Sequence, residues 1–159
     1  MTVIDSSCNI STSNAISYTI LPTSYEKQIY NYTALSNGTA ILEFGFKAKN
    51  PAKAWHLDDV SLLDRTASNI EMLLNGGFEN GSLNGWEVAC SSVHCGGIGG
   101  VLVQSSCHTG SYCYAGICPG AYDFLRQSFS IISGHIYTLS FWLYTDGDSA
   151  QAAYVTIRE

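Results

Sequence analysis

Six cysteines carry the clearest chemistry in this sequence, and five of them crowd into segment 90–118. In chain order they are Cys8, Cys90, Cys95, Cys107, Cys113 and Cys118. An even number of cysteines in a glycine-rich loop region predicts three disulfide bonds in an oxidising environment. Because five is odd, one cysteine of the segment must bond Cys8, bond another molecule or stay free. If all six pair internally, Cys8 joins the first half of the chain to the second.

A zinc site is the alternative use of these thiols, because His94 and His108 stand beside them. The sequence contains no Cys-x-x-Cys pair, which is the usual spacing of structural zinc ligands. We therefore favour disulfides, and we expect a secreted, extracellular protein.

Four Asn-x-Ser/Thr sequons agree with secretion. Their acceptor residues are Asn9, Asn31, Asn37 and Asn80. Each is an N-glycosylation candidate if the chain passes through a eukaryotic secretory pathway. Together with the cysteines, they predict a secreted glycoprotein.

Length and charge exclude several classes of protein. The 159 residues suffice for about one domain with its own core. With 7 Lys and Arg and a net charge of -6, the chain has no basic surface for nucleic acid. No apolar run approaches the roughly 20 residues that span a bilayer. We expect neither a nucleic-acid partner nor a membrane span.

Motifs for catalysis are missing from the sequence. It has no Gly-x-Ser-x-Gly, no His-Glu-x-x-His and no phosphate-binding loop followed by a helix. Its four histidines have no evident nucleophile partner. We therefore predict that the protein is not an enzyme.

Alternating apolar and polar residues predict β-strands throughout the chain and no convincing helix. Ala40, Leu42, Phe44 and Phe46 share one face of such a segment. The same alternation occurs in segments 125–131, 137–144 and 152–158. Short strands joined by Gly, Asn and Ser turns predict an all-β, disulfide-stabilised jelly-roll β-sandwich of two antiparallel sheets.

Four residues on the strand faces opposite the predicted core are candidates for glycan binding. They are Trp142, Tyr144, Tyr154 and Arg158. Flat aromatic faces beside hydrogen-bonding groups suit a sugar ring. The alternative is that these aromatics are buried, as large aromatic residues usually are.

Most of the chain resembles a family of secreted β-sandwich domains. Residues 75–157 resemble the N-terminal part of family 4/9-like carbohydrate-binding modules, through Asn75-Gly-Gly-Phe-Glu79, Gly85-Trp86 and Gly134-His-Ile-Tyr-Thr-Leu-Ser-Phe-Trp142. Residues 16–62 resemble the C-terminal part, most clearly in Trp55-His-Leu-Asp-Asp-Val-Ser-Leu62. The resemblance implies a jelly-roll fold.

The two halves stand in inverted order relative to that family. Residues 1–63 form the C-terminal-type half, 64–74 a linker, and 75–159 the N-terminal-type half with the cysteine-rich loops. The chain is a circular permutant, a subunit that exchanges halves with its neighbours into a filament, or one period of a tandem repeat. In a permutant or by exchange with a neighbour, the two types of half together form one domain.

The resemblance also implies a structural calcium ion. Its ligands would be Glu79 with Asp58 or Asp59, because carboxylate oxygens suit this cation. The alternative is that these acids cap turns or face solvent. Asp146 and Asp148 form a weaker calcium candidate at a loop tip.

These observations predict a non-catalytic, secreted structural or adhesive module. It would be a repeat or subunit of an extracellular assembly, with copies of itself or neighbouring repeats as partners. The alternative function is carbohydrate binding by an aromatic strand face, with glycans as partners.

Overall fold

A computed structural model describes residue 8 and residues 15–18, 22–147 and 151–159. In chain order, the elements are β1 (Ile16–Tyr18), β2 (Glu26–Thr33), β3 (Gly38–Lys47), β4 (Trp55–Asp64), β5 (Ile70–Glu71), β6 (Glu87–Ala89), α1 (Ser91–His94), β7 (Val101–Val103), β8 (Cys113–Gly116), β9 (Asp123–Ile131), β10 (Ile136–Thr145) and β11 (Ala152–Arg158).

The strands form two packed antiparallel sheets. The first sheet has the order β1-β11-β3-β9-β6, and the second has the order β2-β10-β4-β8-β7, with β5 beside β4. This arrangement confirms the predicted disulfide-stabilised all-β sandwich. The single helical turn α1, which the sequence did not predict, lies within the cysteine-rich segment.

The core forms where the apolar faces of the two sheets meet. Ala40, Leu42, Phe44 and Phe46 are at most 1% exposed, which confirms the predicted inward face of β3. The ring of Phe44 meets that of Phe141 from the second sheet edge to face, with centroids 5.0 Å apart. Burial of these large side chains is the main favourable contribution to folding.

The two halves of the chain interleave in both sheets. Strand β3 lies between β9 and β11, and β4 lies between β10 and β8. The 64–74 connector contains β5, which pairs back onto β4. The two sequence motifs also meet directly, because the amide of Val60 donates to the carbonyl oxygen of Gly76 at 2.9 Å. Both sheets therefore contain strands from both halves of the chain.

All six cysteines form disulfides within the chain, as expected. The pairs are Cys8–Cys90, Cys95–Cys118 and Cys107–Cys113. Cys8 bonds a cysteine 82 residues away, so it joins the two halves. The zinc alternative loses its thiolate ligands to these bonds.

In the described part of the chain, none of the helical structure has the length and hydropathy that a membrane crossing requires.

We expect purified protein to be a monodisperse monomer, because each strand already finds its partner within the same chain. Exchange of halves would replace these strand pairs with identical pairs between two molecules. It would add the entropic cost of association without adding a contact. Size-exclusion chromatography with light scattering measures the outcome. Concentration-dependent growth into fibres would instead favour exchange of halves between neighbours.

Candidate functional site

A β-bulge in β4 organises the outer surface of the second sheet. Ser140 of β10 pairs with Ser61 of β4, and Trp142 pairs with Asp58. One residue lies between the paired positions on β10, whereas two lie between them on β4. The extra residue interrupts the alternation of side chains. Asp59 adopts a φ of 49° at this point. Neighbouring residues on a regular strand face opposite sides of the sheet. Here the side chains of Asp58 and Asp59 both contact the loop that contains His108.

Asp58 holds the backbone of that loop, which is residues 107–113 closed by the Cys107–Cys113 disulfide. One carboxylate oxygen accepts hydrogen bonds from the amides of His108 (2.9 Å) and Thr109 (3.1 Å). The other accepts from the amide of Asp59 (2.8 Å). Burial raises the pKa of Asp58, and the charge of Asp59 adds to the rise, while the three amides oppose it. We call residues 107–113 the clamped loop.

Asp59 and Glu79 hold the clamped loop at two further points. Nδ1 of His108 lies 2.7 Å from Oδ2 of Asp59, whose carboxylate also accepts from the Thr109 hydroxyl. Glu79 accepts from the amides of Ser111 and Tyr112, each at 3.0 Å. The two acidic motifs of the sequence therefore converge on one disulfide-closed loop.

The same contacts bear on the predicted calcium site. The carboxylates of Asp58, Asp59 and Glu79 already accept hydrogen bonds from the clamped loop. In the described residues, the oxygens of these three carboxylates do not all lie within 4.8 Å of one another. Asp58 meets that distance only with Cys107 and Cys113, whose sulfur atoms are bonded to each other. This geometry does not fit a preformed site with six to eight oxygens. Calcium stays a prediction of the resemblance.

Five rings pack together on the outer side of the second sheet. They are Tyr25, His56, His108, Trp142 and Tyr144, and we call them the aromatic face. His108 stacks on Trp142, with centroids 3.9 Å apart and planes 16° from parallel. Tyr25 lies 5.3 Å from His108 and 5.4 Å from Tyr144 between ring centroids. Tyr144 stacks on His56 at 5.0 Å.

Asp146 joins two of these rings through its carboxylate. It accepts from the Tyr144 hydroxyl (2.8 Å) and lies 3.2 Å from Nε2 of His56. Burial raises the pKa of Asp146, but the hydrogen bonds from Tyr144, His56 and the Ala54 amide outweigh that effect and lower it. The carboxylate is therefore ionised at neutral pH. Nδ1 of His56 is buried and finds no partner in the described ranges, which suits a water or ligand atom there.

An open groove crosses the aromatic face beside the clamped loop. It is lined by Ser24, Tyr25, Ser106, Cys107 and Tyr144. The Tyr25 hydroxyl donates to the carbonyl oxygen of Ser106 at 2.5 Å, which fixes the ring at the groove wall. The groove thus combines two tyrosine rings with exposed serine hydroxyls.

The other two glycan-binding candidates lie on the first sheet. Tyr154 is 3% exposed, and its hydroxyl donates to Glu43 at 3.0 Å. Arg158 donates to the same carboxylate at 2.8 Å, as does Arg126. The structure therefore separates Tyr154 and Arg158 from Trp142 and Tyr144, and places them in a buried ion-pair cluster.

Three of the four glycosylation candidates are exposed. Asn31 lies on β2, Asn37 in the turn before β3, and Asn80 in the loop after Glu79. Asn9 lies outside the described residues, as does Asp148 of the weaker calcium candidate.

Sequence reasoning missed Tyr25, His56 and His108 as members of the aromatic face. The pairing of Tyr144 with His56 follows from the register of β10 on β4, and the position of His108 follows from the clamped loop. Neither relationship has a local signal in the sequence.

No family model, curated protein or solved structure matches this chain. The resemblance to carbohydrate-binding modules therefore stays a prediction.

We expect Asp58→Asn to destabilise the protein by about 2 kcal/mol, because the Asn side chain keeps one acceptor oxygen and places a buried NH2 group against backbone N–H donors that the second oxygen accepted. Urea denaturation measures the change. The control is Asp59→Asn, a substitution in the same strand at a half-buried carboxylate that water can partly replace. Equal losses in the two variants would contradict the clamping role of Asp58.

We expect a calcium chelator to leave the melting temperature unchanged, since in the described residues the oxygens of Asp58, Asp59 and Glu79 do not converge on one point. Differential scanning calorimetry with EDTA and with added Ca²⁺ checks this. A melting temperature that falls with EDTA and recovers with Ca²⁺, but not with Mg²⁺, would establish the calcium site instead.

Proposed function

We propose that this protein is a non-catalytic, extracellular adhesive module that binds glycans in the groove of the aromatic face. The observation that carries the proposal is the open groove between Tyr25 and Tyr144. Both rings are half-buried, so each still presents surface to a ligand. The three disulfides support an extracellular setting.

The groove offers the two kinds of contact that a sugar ring requires. A pyranose has apolar C–H faces and polar hydroxyl edges, so it packs on aromatic rings and hydrogen-bonds at its rim. Tyr25 and Tyr144 supply the rings, and the exposed Ser24 and Ser106 supply polar groups beside them.

Trp142 has a supporting role in this proposal. His108 already stacks on its indole ring at 3.9 Å, so that face is occupied by the protein itself. The stack holds His108 beside Tyr25, which in turn forms the groove wall. Trp142 therefore positions the groove and contributes less direct contact to a ligand than Tyr144 does.

The rigidity of the groove favours binding. Cys107 of the clamped loop and the preceding Ser106 line the groove. The Cys107–Cys113 bond and the carboxylates of Asp58, Asp59 and Glu79 restrain the loop. A restrained groove loses little conformational entropy when a ligand binds.

Self-association, or docking of neighbouring repeats, is the second candidate. Leu35 is 83% exposed and Ile132 is 50% exposed, in adjacent turns at the end of the sandwich where β10 begins. Ile136 at the start of β10 is 44% exposed. Exposed apolar residues at one end of a domain are typical of contact surfaces.

We expect Tyr144→Ala to weaken glycan binding about tenfold, because one stacking ring is lost. A glycan array identifies ligands, and isothermal titration calorimetry measures their affinity. The control is Tyr122→Ala, which removes another half-buried tyrosine, one that packs on Tyr154 of the first sheet. This control should bind normally.

Two results would contradict the proposal. One is an array on which the folded protein binds no glycan. The other is equal weakening by Tyr144→Ala and Tyr122→Ala, which would indicate a general effect on folding.

A further inference from the structure

We infer that the ligand of the groove is a cationic glycan, an oligosaccharide of amino sugars with free ammonium groups. The inference rests on the proposed function and adds the ligand class. It is carried by the partly exposed carboxylates that border the aromatic face.

Two partly exposed carboxylates lie beside the rings. The side chains of Asp59 and Asp146 are 30% and 29% exposed. Their ion-pair partners are His108 and His56, which, unlike Lys or Arg, are not permanent cations. Each carboxylate therefore keeps capacity for a ligand cation.

Carboxylate charges also lie near Tyr25, the ring that forms one wall of the groove. Burial raises the pKa of the Tyr25 phenol, and the charges of Asp58, Asp59 and Asp146 raise it further. The field of anions this close to the groove wall attracts cations. The same field repels uronic and sialic acids.

The rings and the carboxylates act on the same group of the ligand. An ammonium group gains from the face of a tyrosine ring and from a carboxylate at its edge. Tyr144 provides this combination, because its hydroxyl bonds the carboxylate of Asp146. A neutral hydroxyl or acetamido group at the same sugar position makes a weaker contact with the ring and with the carboxylate.

One lysine indicates where on the face the ammonium binds. Lys27 is exposed and lies opposite Trp142 in the β2–β10 register. Like charges repel, so the ammonium is placed away from Trp142, toward Tyr144 and Asp146. The sugar rings then lie along Tyr25 and Tyr144, with the clamped loop at one side.

The test compares three oligosaccharide series of equal length, built from glucosamine, N-acetylglucosamine and glucose. Calorimetry at about pH 6 keeps most of these amines protonated, because neighbouring oxygens make an amino sugar a weaker base than lysine, and the lowered pKa of Asp146 leaves its carboxylate ionised. We expect the glucosamine series to bind about tenfold more tightly than the other two, from one exposed cation–π contact and one ion pair. Raising the salt to about 0.5 M should reduce this preference by screening.

Asp146→Asn removes the charge with little change in size, so it should abolish the preference while weakening the neutral series much less. The control is Glu87→Gln, which removes an exposed carboxylate from β6 of the first sheet. It should keep the preference, because it changes the net charge equally but lies far from the groove.

The outcomes separate the two proposals. Equal affinity for all three series, or a preference that survives Asp146→Asn, overturns the cationic-glycan inference and leaves glycan binding in place. If none of the series binds but another glycan on the array does, the inference again fails alone. If no glycan binds at all, both proposals fail.

Discussion

The buried carboxylate of Asp58 is the interaction on which the outer surface of the second sheet depends. It accepts hydrogen bonds from two amides of the clamped loop, in a position that is 0% exposed. Buried backbone N–H groups need acceptors, and Asp58 provides one for the amides of His108 and Thr109. The bulge in β4 turns Asp59 toward the same loop. Asp58 therefore contacts the backbone amide of His108, and Asp59 contacts its ring. The stack of His108 on Trp142 follows from these restraints.

The carboxylates on the two outer faces of the sandwich differ in how far the protein compensates their charge, and this difference is the basis of the proposed binding surface. On the first sheet, Glu43 is 1% exposed and receives Arg126, Arg158 and Tyr154, so its charge is fully compensated. On the second sheet, the carboxylates of Asp59 and Asp146 remain partly exposed among aromatic rings. A buried, compensated ion pair offers nothing to a ligand, whereas a partly solvated carboxylate does. The cysteine-rich segment contributes the clamped loop to this open face.

Strand alternation predicted the core well and the candidate site only in part. Leu139, Phe141 and Leu143 are buried as their spacing required, and Trp142 and Tyr144 lie on the opposite face. The prediction also grouped Tyr154 and Arg158 with them, because alternation identifies a face without saying which sheet it belongs to. The pairing of β11 with β3 then brings both residues to Glu43. That register depends on contacts between residues more than a hundred positions apart.

The sequence by itself determined the strand periodicity, the inward faces of the strands and the expectation of three disulfides. It also determined that Cys8 joins the two halves if all six cysteines pair internally. These properties follow from local alternation and from counting, so no tertiary information is required. Only the tertiary structure decided the pairing of the other cysteines, the convergence of Asp58, Asp59 and Glu79 on one loop, and the choice of which aromatic residues stay open. Those outcomes depend on register, on a bulge and on the burial of charge, which are set by distant parts of the chain.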